Sequence, residues 1–595
     1  MSTTTIVHHT FLQASRRPDA PAYHVRRNGQ WVPTSWRVYG HEVRRAARAL
    51  MALGCESGFT TCILGFNRPE WVIADVATMA AGGAPAGIYT TCSGSEIKYI
   101  VTHSEAAVLF LENETQWKKV AEIRDEMPQL RKIVLMKDAG QVNHPDVMTW
   151  EEFNELGSRV TDDELDRRVA DIREDQLATL IYTSGTTGPP KGVMLSHRNL
   201  VWTAQTAISI TGITEADCSV SYLPLSHIAE QMFSIHGPAL SGFSLYFAES
   251  IDKLRDNLIE VQPTIFFGVP RVWEKFYTGI TGQLAKATGV KKSLVDWARG
   301  VGSQCSALLN QGKTPTGMLG VQYRLASKLI YSKLKPAIGL GRARVCVSGA
   351  APISPDVLEF FGSIDIRICE VYGQSEGSGP TTFNRIGATR LGTVGDPIPG
   401  CKVTFGEDGE IIVEGPNVFM GYFKDEKATA ETLINGKLHS GDLGEFDPAG
   451  WLKITGRKKD IIITAGGKNI APKNFENDMK NHWLINEAVM IGDRRKFLTV
   501  LLTLDPDSAA TFAEQHGTDV ASLPAHPALL AEIQRHVDEA NKEYARVEQV
   551  KKFTVLPRNL TMEDGELTPT MKVKRQNVAK MWADTIEAMY ADDTE

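Results

Sequence analysis

Residues 182–193, YTSGTTGPPKGV, gather three glycines (Gly185, Gly188, Gly192), four hydroxyls (Thr183, Ser184, Thr186, Thr187) and one cation, Lys191. The apolar run just ahead of them, residues 177–181, reads as a buried strand. A glycine-rich turn leaving a strand end can aim several backbone N–H groups at one anion, and the missing Cβ atoms let phosphate oxygens come close. The hydroxyls add donors, and the lysine adds a mobile charge. The stretch therefore predicts a phosphate-gripping loop. It is not a Walker A loop, which needs Gly-x-x-x-x-Gly-Lys followed by Ser or Thr. Pro190 stands where the second glycine belongs, and Gly192 where the hydroxyl belongs. The competing reading is an ordinary surface turn rich in Gly, Ser and Thr.

Further segments carry chemistry of the same kind. Residues 349–352, GAAP, leave an apolar run; the small Gly349, Ala350 and Ala351 let a flat ring approach the backbone. In residues 372–377, YGQSEG, Tyr372 can stack on a base across Gly373. Ser375 can donate to a phosphate oxygen, and Glu376 can hold Mg²⁺ through hard oxygen ligands. Asp442, in SGDLG at 440–444, can accept from both hydroxyls of a ribose. As bare sequence, each of these is a weak signal, and residues 455–460, TGRKKD, read as a solvated turn.

Taken in this order, the segments resemble the adenylate-forming superfamily, which includes acyl-CoA synthetases, peptide-synthetase adenylation domains and luciferases. The resemblance runs from the N-terminal region to about Lys580 and is greatest to bacterial long-chain fatty acyl-CoA synthetases. It implies that the loop at 183–193 holds pyrophosphate, that 349–351 lie along adenine, and that Asp442 and Arg457 bind ribose. It assigns Lys572, in the segment GELTPTMKVKR, as the catalytic lysine. His227, in LPLSH, falls beside the acyl carboxylate, and Thr183 and Glu376 join the catalytic set, with Glu376 as the metal ligand. Trp273, in VPRVW, has two readings of equal standing: the gate of a fatty-acid tunnel, or a core aromatic. The pivot of a swinging C-terminal domain falls at Lys459.

These residues need elements to hold them. Residues 43–53 predict an amphipathic helix closed by Gly54; 62–66, 107–111 and 132–136 predict strands, and 71–81 a helix. Strands alternating with helices imply parallel sheets in layered α/β form. Residues 263–268 and 343–348 read as further strands, and Ser354 with Pro355 as a helix start. Residues 280–344 read as helices with a loop near 312–317. The expected fold is a large N-terminal domain, 1–458, of layered α/β sheets plus a small distorted β-barrel. A small mobile α+β C-terminal domain, 459–595, follows. Its clearest helix carries an apolar stripe at Leu529, Ile533, Val537, Ala540, Tyr544 and Val547.

Bulk composition narrows the class. The 595 residues are 42% hydrophobic and 23% charged, ordinary for a globular protein of at least two domains. A net charge of −7 argues against a general nucleic-acid binder. The eight cysteines form no C-x-x-C pair, so neither a zinc site nor a disulfide framework is expected. No signal peptide or spanning segment is evident, and the expectation is a cytoplasmic protein, at most peripheral to a membrane. Oligomeric state stays open.

The reaction implied has two halves. Attack of a fatty-acid carboxylate on the α-phosphate of ATP gives an acyl-adenylate and pyrophosphate; a thiol, most simply coenzyme A, then displaces AMP. Two anions meet in the first half, so cations must offset their repulsion. The alternatives are ligation of a fatty or aryl acid to a carrier-protein thiol, and a non-catalytic lipid or nucleotide sensor. One region stands apart in charge. Residues 280–344 hold eleven basic residues against one acid, Asp296, a local balance of +10. Met318, Val321, Leu325 and Leu329 follow helical spacing there, flanked by Arg324 and Lys328. This reads either as a core-packed helix with a solvated basic edge or as a surface drawn to anionic lipid.

Overall fold

The computed structural model of the chain describes residues 5–140, 142–183, 189–568 and 571–591. Two large sheets form the body of the protein. The eight-stranded one has the order 421–422, 191–196, 177–183, 84–88, 60–64, 106–111, 132–135, 147–149. The strands Thr60–Leu64, Ala84–Ile88, Ala106–Leu111 and Lys132–Leu135 pair in parallel, as the alternation with helices predicts. The strand Leu177–Thr183 joins them in parallel and then turns back through the antiparallel strand Lys191–Ser196. The nine-stranded sheet has a parallel centre, with Val345–Ser348 between Ile265–Gly268 and Ile368–Gln374.

Both sheets are apolar on two faces because helices cover them. Trp36–Ala52, ending before Gly54 at φ +77°, and Pro69–Ala80 bury Trp36 and Trp71 fully. One continuous core links both sheets. All eight cysteines are free thiols; seven are buried, and burial pushes Cys346 up to about 12.

The expected small barrel corresponds to five antiparallel strands. Lys402–Phe405, Glu410–Glu414, Lys437–Phe446 and Leu433–Ile434 pair in that order, and Leu452–Arg457 pairs with Lys437–Phe446. Of the stretch read as a solvated turn, the first three residues are therefore strand. Residues 440–444 lie inside Lys437–Phe446, and Thr455, Gly456 and Arg457 end Leu452–Arg457. Beyond it, a separate core forms from Ile462, Phe475, Leu498, Val500, Leu529, Ile533 and others around a three-stranded sheet.

One helical expectation changes, and one of two open readings is excluded. The helix Pro527–Asn541 buries Leu529, Ile533 and Val537, but it stops before Tyr544, and Val547 is exposed. The stripe at Met318, Val321, Leu325 and Leu329 is not packed into the core. These residues are 73%, 50%, 48% and 38% exposed, on the helix Gly317–Ala326 and the π-helical turn after it. Helical spacing reports that residues share a face, not what that face meets. Part of the local positive charge is neutralised: Lys335 pairs with Asp365 at 3.0 Å, and Arg344 pairs with Asp217.

Candidate active site

Strand ends from the two large sheets and from the five-stranded unit meet through Tyr372 with Asp442 and through Tyr422 with Glu376 and Lys191. Asp442 and Arg457 face each other across an antiparallel pair, with Arg457 Nε 3.4 Å from Asp442 Oδ1. The Tyr372 hydroxyl, at the end of Ile368–Gln374, donates to Asp442 Oδ2 at 2.9 Å. Burial raises the Asp442 pKa; Arg457, the Tyr372 hydrogen bond and Lys572 pull the other way. Lys572 comes from the far end of the chain. Its hairpin closes through Thr568 N donating to the Lys572 carbonyl at 2.8 Å and Lys572 N donating to Thr568 Oγ1 at 3.0 Å. Lys572 is exposed at the surface of this hairpin. Its pKa is lowered, first by desolvation and then by Arg457; Asp442 and Glu376 oppose the shift.

Glu376 sits in the turn Ser375–Gly377, with Ser375 buried at its start. The carboxylate Oε1 accepts from the Tyr422 hydroxyl at 2.8 Å. The Lys191 ammonium lies over the same Tyr422 ring, 4.8 Å from its centroid. Tyr422 thus ties the acid to the lysine beside the predicted phosphate loop. Sequence reasoning missed it, because nothing in a Gly-Tyr-Phe run announces that Gly421 and Tyr422 pair with Met194 and Val193. Thr183 and Lys191 face each other at the mouth of their hairpin. Ser184, Gly185, Thr186 and Thr187, expected to grip phosphate, lie outside the described residues.

His227 caps the helix Ile228–Gln231, its Nδ1 accepting from Ala229 N at 3.1 Å. Burial, helped by the charge of Lys572, lowers its pKa to about 4. It is therefore neutral at pH 7, with Nε2–H left as a donor. Behind it, buried Glu230 accepts from Ser221 Oγ at 2.7 Å and Ser234 Oγ at 2.6 Å, a network no sequence motif signalled.

Some sequence arguments need a different physical reason. A Cβ at Gly349 would lie 2.5 Å from Val371 Cγ1 on the neighbouring strand, so packing alone already requires glycine there. Gly373 likewise has no room, since a Cβ would meet the Gly379 carbonyl. Ala350 is held at φ +70°, a costly conformation for a residue with a Cβ, and both it and Ala351 are exposed. Trp273 is fully buried: its indole N–H donates to Gly268 O at 3.0 Å and Val347 O at 3.2 Å. Phe266, Phe276 and Phe361 meet it edge to face. Lys459 is exposed in the short turn Lys458–Asp460, whose Lys458 pairs with Asp408 at 2.6 Å.

A family model described as AMP-binding enzyme matches residues 11–423, and one described as AMP-binding enzyme C-terminal domain matches 459–594. The chain belongs to the AMP-binding enzymes. Among its relatives, the long-chain-fatty-acid–CoA ligase ACSBG2 of Xenopus laevis is 40% identical over 622 residues, covering 98% of this chain and 84% of that protein. The long-chain-fatty-acid–CoA ligase FadD15 of Mycobacterium bovis is 36% identical over 582 residues, covering 96% and 95%. The fold is also that of solved structures. The adenylation domain of a carboxylic acid reductase from Segniliparus rugosus, in complex with AMP and a carboxylic acid, superposes with TM-score 0.73 at 21% identity, covering 100% and 95% of the two chains. The o-succinylbenzoate CoA synthetase of Bacillus subtilis, in complex with ATP and magnesium ion, gives 0.67 at 21%, covering 96% and 98%. Within this AMP-binding enzyme, the Asp442–Arg457–Tyr372 group and the incoming Lys572 are the parts that could hold a nucleotide and its reacting phosphate.

Proposed function

We propose that this AMP-binding enzyme activates a long-chain fatty acid with ATP, releasing pyrophosphate, and then transfers the acyl group from the adenylate to coenzyme A. The observation that carries the reading is that Lys572, held in the hairpin that Thr568 closes, is electrostatically coupled to Asp442, Arg457, Glu376 and His227. An ammonium at that point offsets the repulsion between a carboxylate and an α-phosphate. Asp442 accepts from ribose hydroxyls, Arg457 reaches the same sugar, and neutral His227 can donate Nε2–H to the acyl carboxylate. Lys191 and the residues between it and Thr183 take the pyrophosphate.

A magnesium ion fits Glu376. Among the described residues no group of three or more His, Cys, Asp or Glu gathers for a metal, and magnesium typically uses one or two carboxylates with substrate phosphates and water. Bound there, it would neutralise phosphate charge. The names of the relatives support the acid and the thiol. The test is a scan of CoA thioester formation against acid chain length, with a carrier-protein thiol and an aryl acid as competitors. Long-chain acids with coenzyme A should give the highest kcat/KM; preference for an aryl acid or a protein thiol would reject the assignment.

Two half-reactions in one pocket require Lys572 to leave and a thiol to enter, which a hinged domain permits. With the pivot at Lys459, Lys459→Pro restricts φ there. Pyrophosphate release in a first turnover should persist, while CoA transfer slows. An unimpaired overall rate would move the pivot elsewhere.

The same reading includes peripheral contact with anionic membrane through 280–344. The exposed stripe at Met318, Val321, Leu325 and Leu329, with Arg324 and Lys328 beside it, supports this, and each basic residue near such a surface adds about 1 kcal/mol. No helix among the described residues is long and apolar enough to cross a membrane. Reversing charge with Arg324→Glu and Lys328→Glu should weaken sedimentation with anionic vesicles and flatten its salt dependence, leaving the KM for coenzyme A unchanged. Wild-type protein that ignores such vesicles at low salt would reject the contact; a raised KM for coenzyme A would reassign the patch to that substrate.

A further inference from the structure

The helix Pro270–Leu284 leaves the strand Ile265–Gly268 and carries Arg271 toward the C-terminal domain. Arg271 Nη2 donates to Asp505 Oδ2 and to Asn486 Oδ1, both at 3.0 Å. Asp505 is held for this contact, because its other oxygen caps the helix Pro506–His516 by accepting from Ser508 N at 3.1 Å. Asn486 is held too: its Nδ2 donates to Asn559 Oδ1 at 2.9 Å. From there the bonds continue. Arg558 Nη1 donates to Asn559 O at 2.9 Å and to Glu566 Oε2 at 2.6 Å. Glu566 is fully buried; its carboxylate also accepts from Thr561 N and Trp582 Nε1, and its carbonyl accepts from Lys574 N at 2.7 Å. Glu566 and Lys574 flank the bridge between Leu567 and Val573 that closes the Lys572 hairpin.

We propose that Arg271 is a positioning residue that docks the C-terminal domain in the adenylate-forming arrangement and, through Asn486, Asn559, Arg558 and Glu566, sets the Lys572 hairpin over the site. Three features favour this over an incidental surface pair. The guanidinium serves two partners across the domain boundary at once, both fixed by bonds of their own, with Glu274 of its own helix 3.9 Å away. Glu274, one turn on, has its pKa raised by burial against the same domain, with Lys480, Glu487 and Lys473 among the charges that face it. Finally, the chain of hydrogen bonds ends on the backbone of the hairpin rather than in solvent. An exposed pair within one domain contributes little. A pair between two domains acts on the docked population, and displacing a reacting group by about 1 Å can cost about 10²-fold in rate. The contact must break for the thiol half-reaction, so Arg271 should favour the first half at the expense of the second.

The inference rests on the proposed function, and its test separates the two. Arg271→Ala should slow fatty-acid-dependent pyrophosphate release about tenfold at saturating ATP, the scale of one lost hydrogen bond to a charged group. CoA transfer from supplied acyl-adenylate should stay the same or rise. Asp505→Asn, which keeps a helix-capping side chain, should act in the same direction and not add to Arg271→Ala. Arg271→Lys should recover part of the loss. Amide exchange over 484–487 and 566–574 should rise in the Arg271→Ala protein alone at unchanged Tm, a readout independent of any reaction. If exchange there is unchanged, or if both half-reactions fall equally, the inference is overturned. If wild type releases no pyrophosphate with any fatty acid, the proposed function fails and the exchange result alone decides the role of Arg271.

Discussion

Lys572→Ala is expected to slow adenylate formation by about 10²–10³-fold, the scale for removing a preorganised charge from a developing transition state. The ammonium stands among Asp442, Glu376, Arg457 and His227, and its own pKa is lowered chiefly by desolvation. Other cations of the same domain stand elsewhere in it: Lys473, on the helix Pro472–Lys480, faces Lys572 and lowers its pKa, while Lys574 and Arg575 flank the hairpin and Arg575 is paired with Glu476 at 2.7 Å. Transfer to coenzyme A from supplied acyl-adenylate should change little, because the lysine has left by then. Equal loss in both halves would remove Lys572 from its role. The pH profile gives a second readout. A lysine acts here as a cation, and a lowered pKa means that the cation is lost earlier as pH rises. Wild-type adenylation should therefore decline on the alkaline side below the usual lysine range. Lys572→Arg, charged at all accessible pH, should lose that decline while losing rate through its different shape.

The second large effect is on stability. Trp273→Ala should destabilise the large domain by about 3–5 kcal/mol, the range for emptying a fully buried aromatic site. The indole fills the space above Gly268, where a Cβ would come within 2.8 Å of Nε1, and it bonds carbonyls at the ends of two central strands. Val347 is two residues before Gly349, so ATP affinity should weaken as well. Trp273→Phe, which keeps an aromatic ring but not the two hydrogen bonds, should lose less. The tunnel-gate reading makes the opposite forecast. If Trp273→Ala keeps its Tm and shifts only fatty-acid chain preference, the gate reading stands and the core reading falls.

Much of the fold was legible because its cues are local. The helix at 36–52, the strands at 60–64, 106–111 and 132–135, and the cap Ser354 before Pro355 are each decided by hydrophobic period, a stop residue or a hydroxyl within a few positions. The misreadings came where a long-range partner decides. Residues 455–457 look like a turn because they are short, polar and glycine-bearing, yet they are strand, because they pair across with Asp442 and Leu443, whose own strand pairs with Glu410–Glu414 on the other side.

The amino-acid sequence by itself determined which donors, acceptors and charges the chain carries and in what order they come: the glycine- and hydroxyl-rich loop with Lys191, the Tyr372–Glu376 segment and the Asp442 carboxylate, whose roles toward phosphate, base and ribose are what the family resemblance implies. Hydrogen-bonding capacity and charge belong to side-chain types, whatever the chain folds into. Only the tertiary structure decided that Lys572 reaches Asp442 and Glu376, that Tyr422 ties Glu376 to Lys191, that Arg271 reaches across to Asp505, and that Met318, Val321, Leu325 and Leu329 face outward while Trp273 faces inward. Each of these depends on which surface another element covers, and a period or a motif carries no information about what lies opposite it.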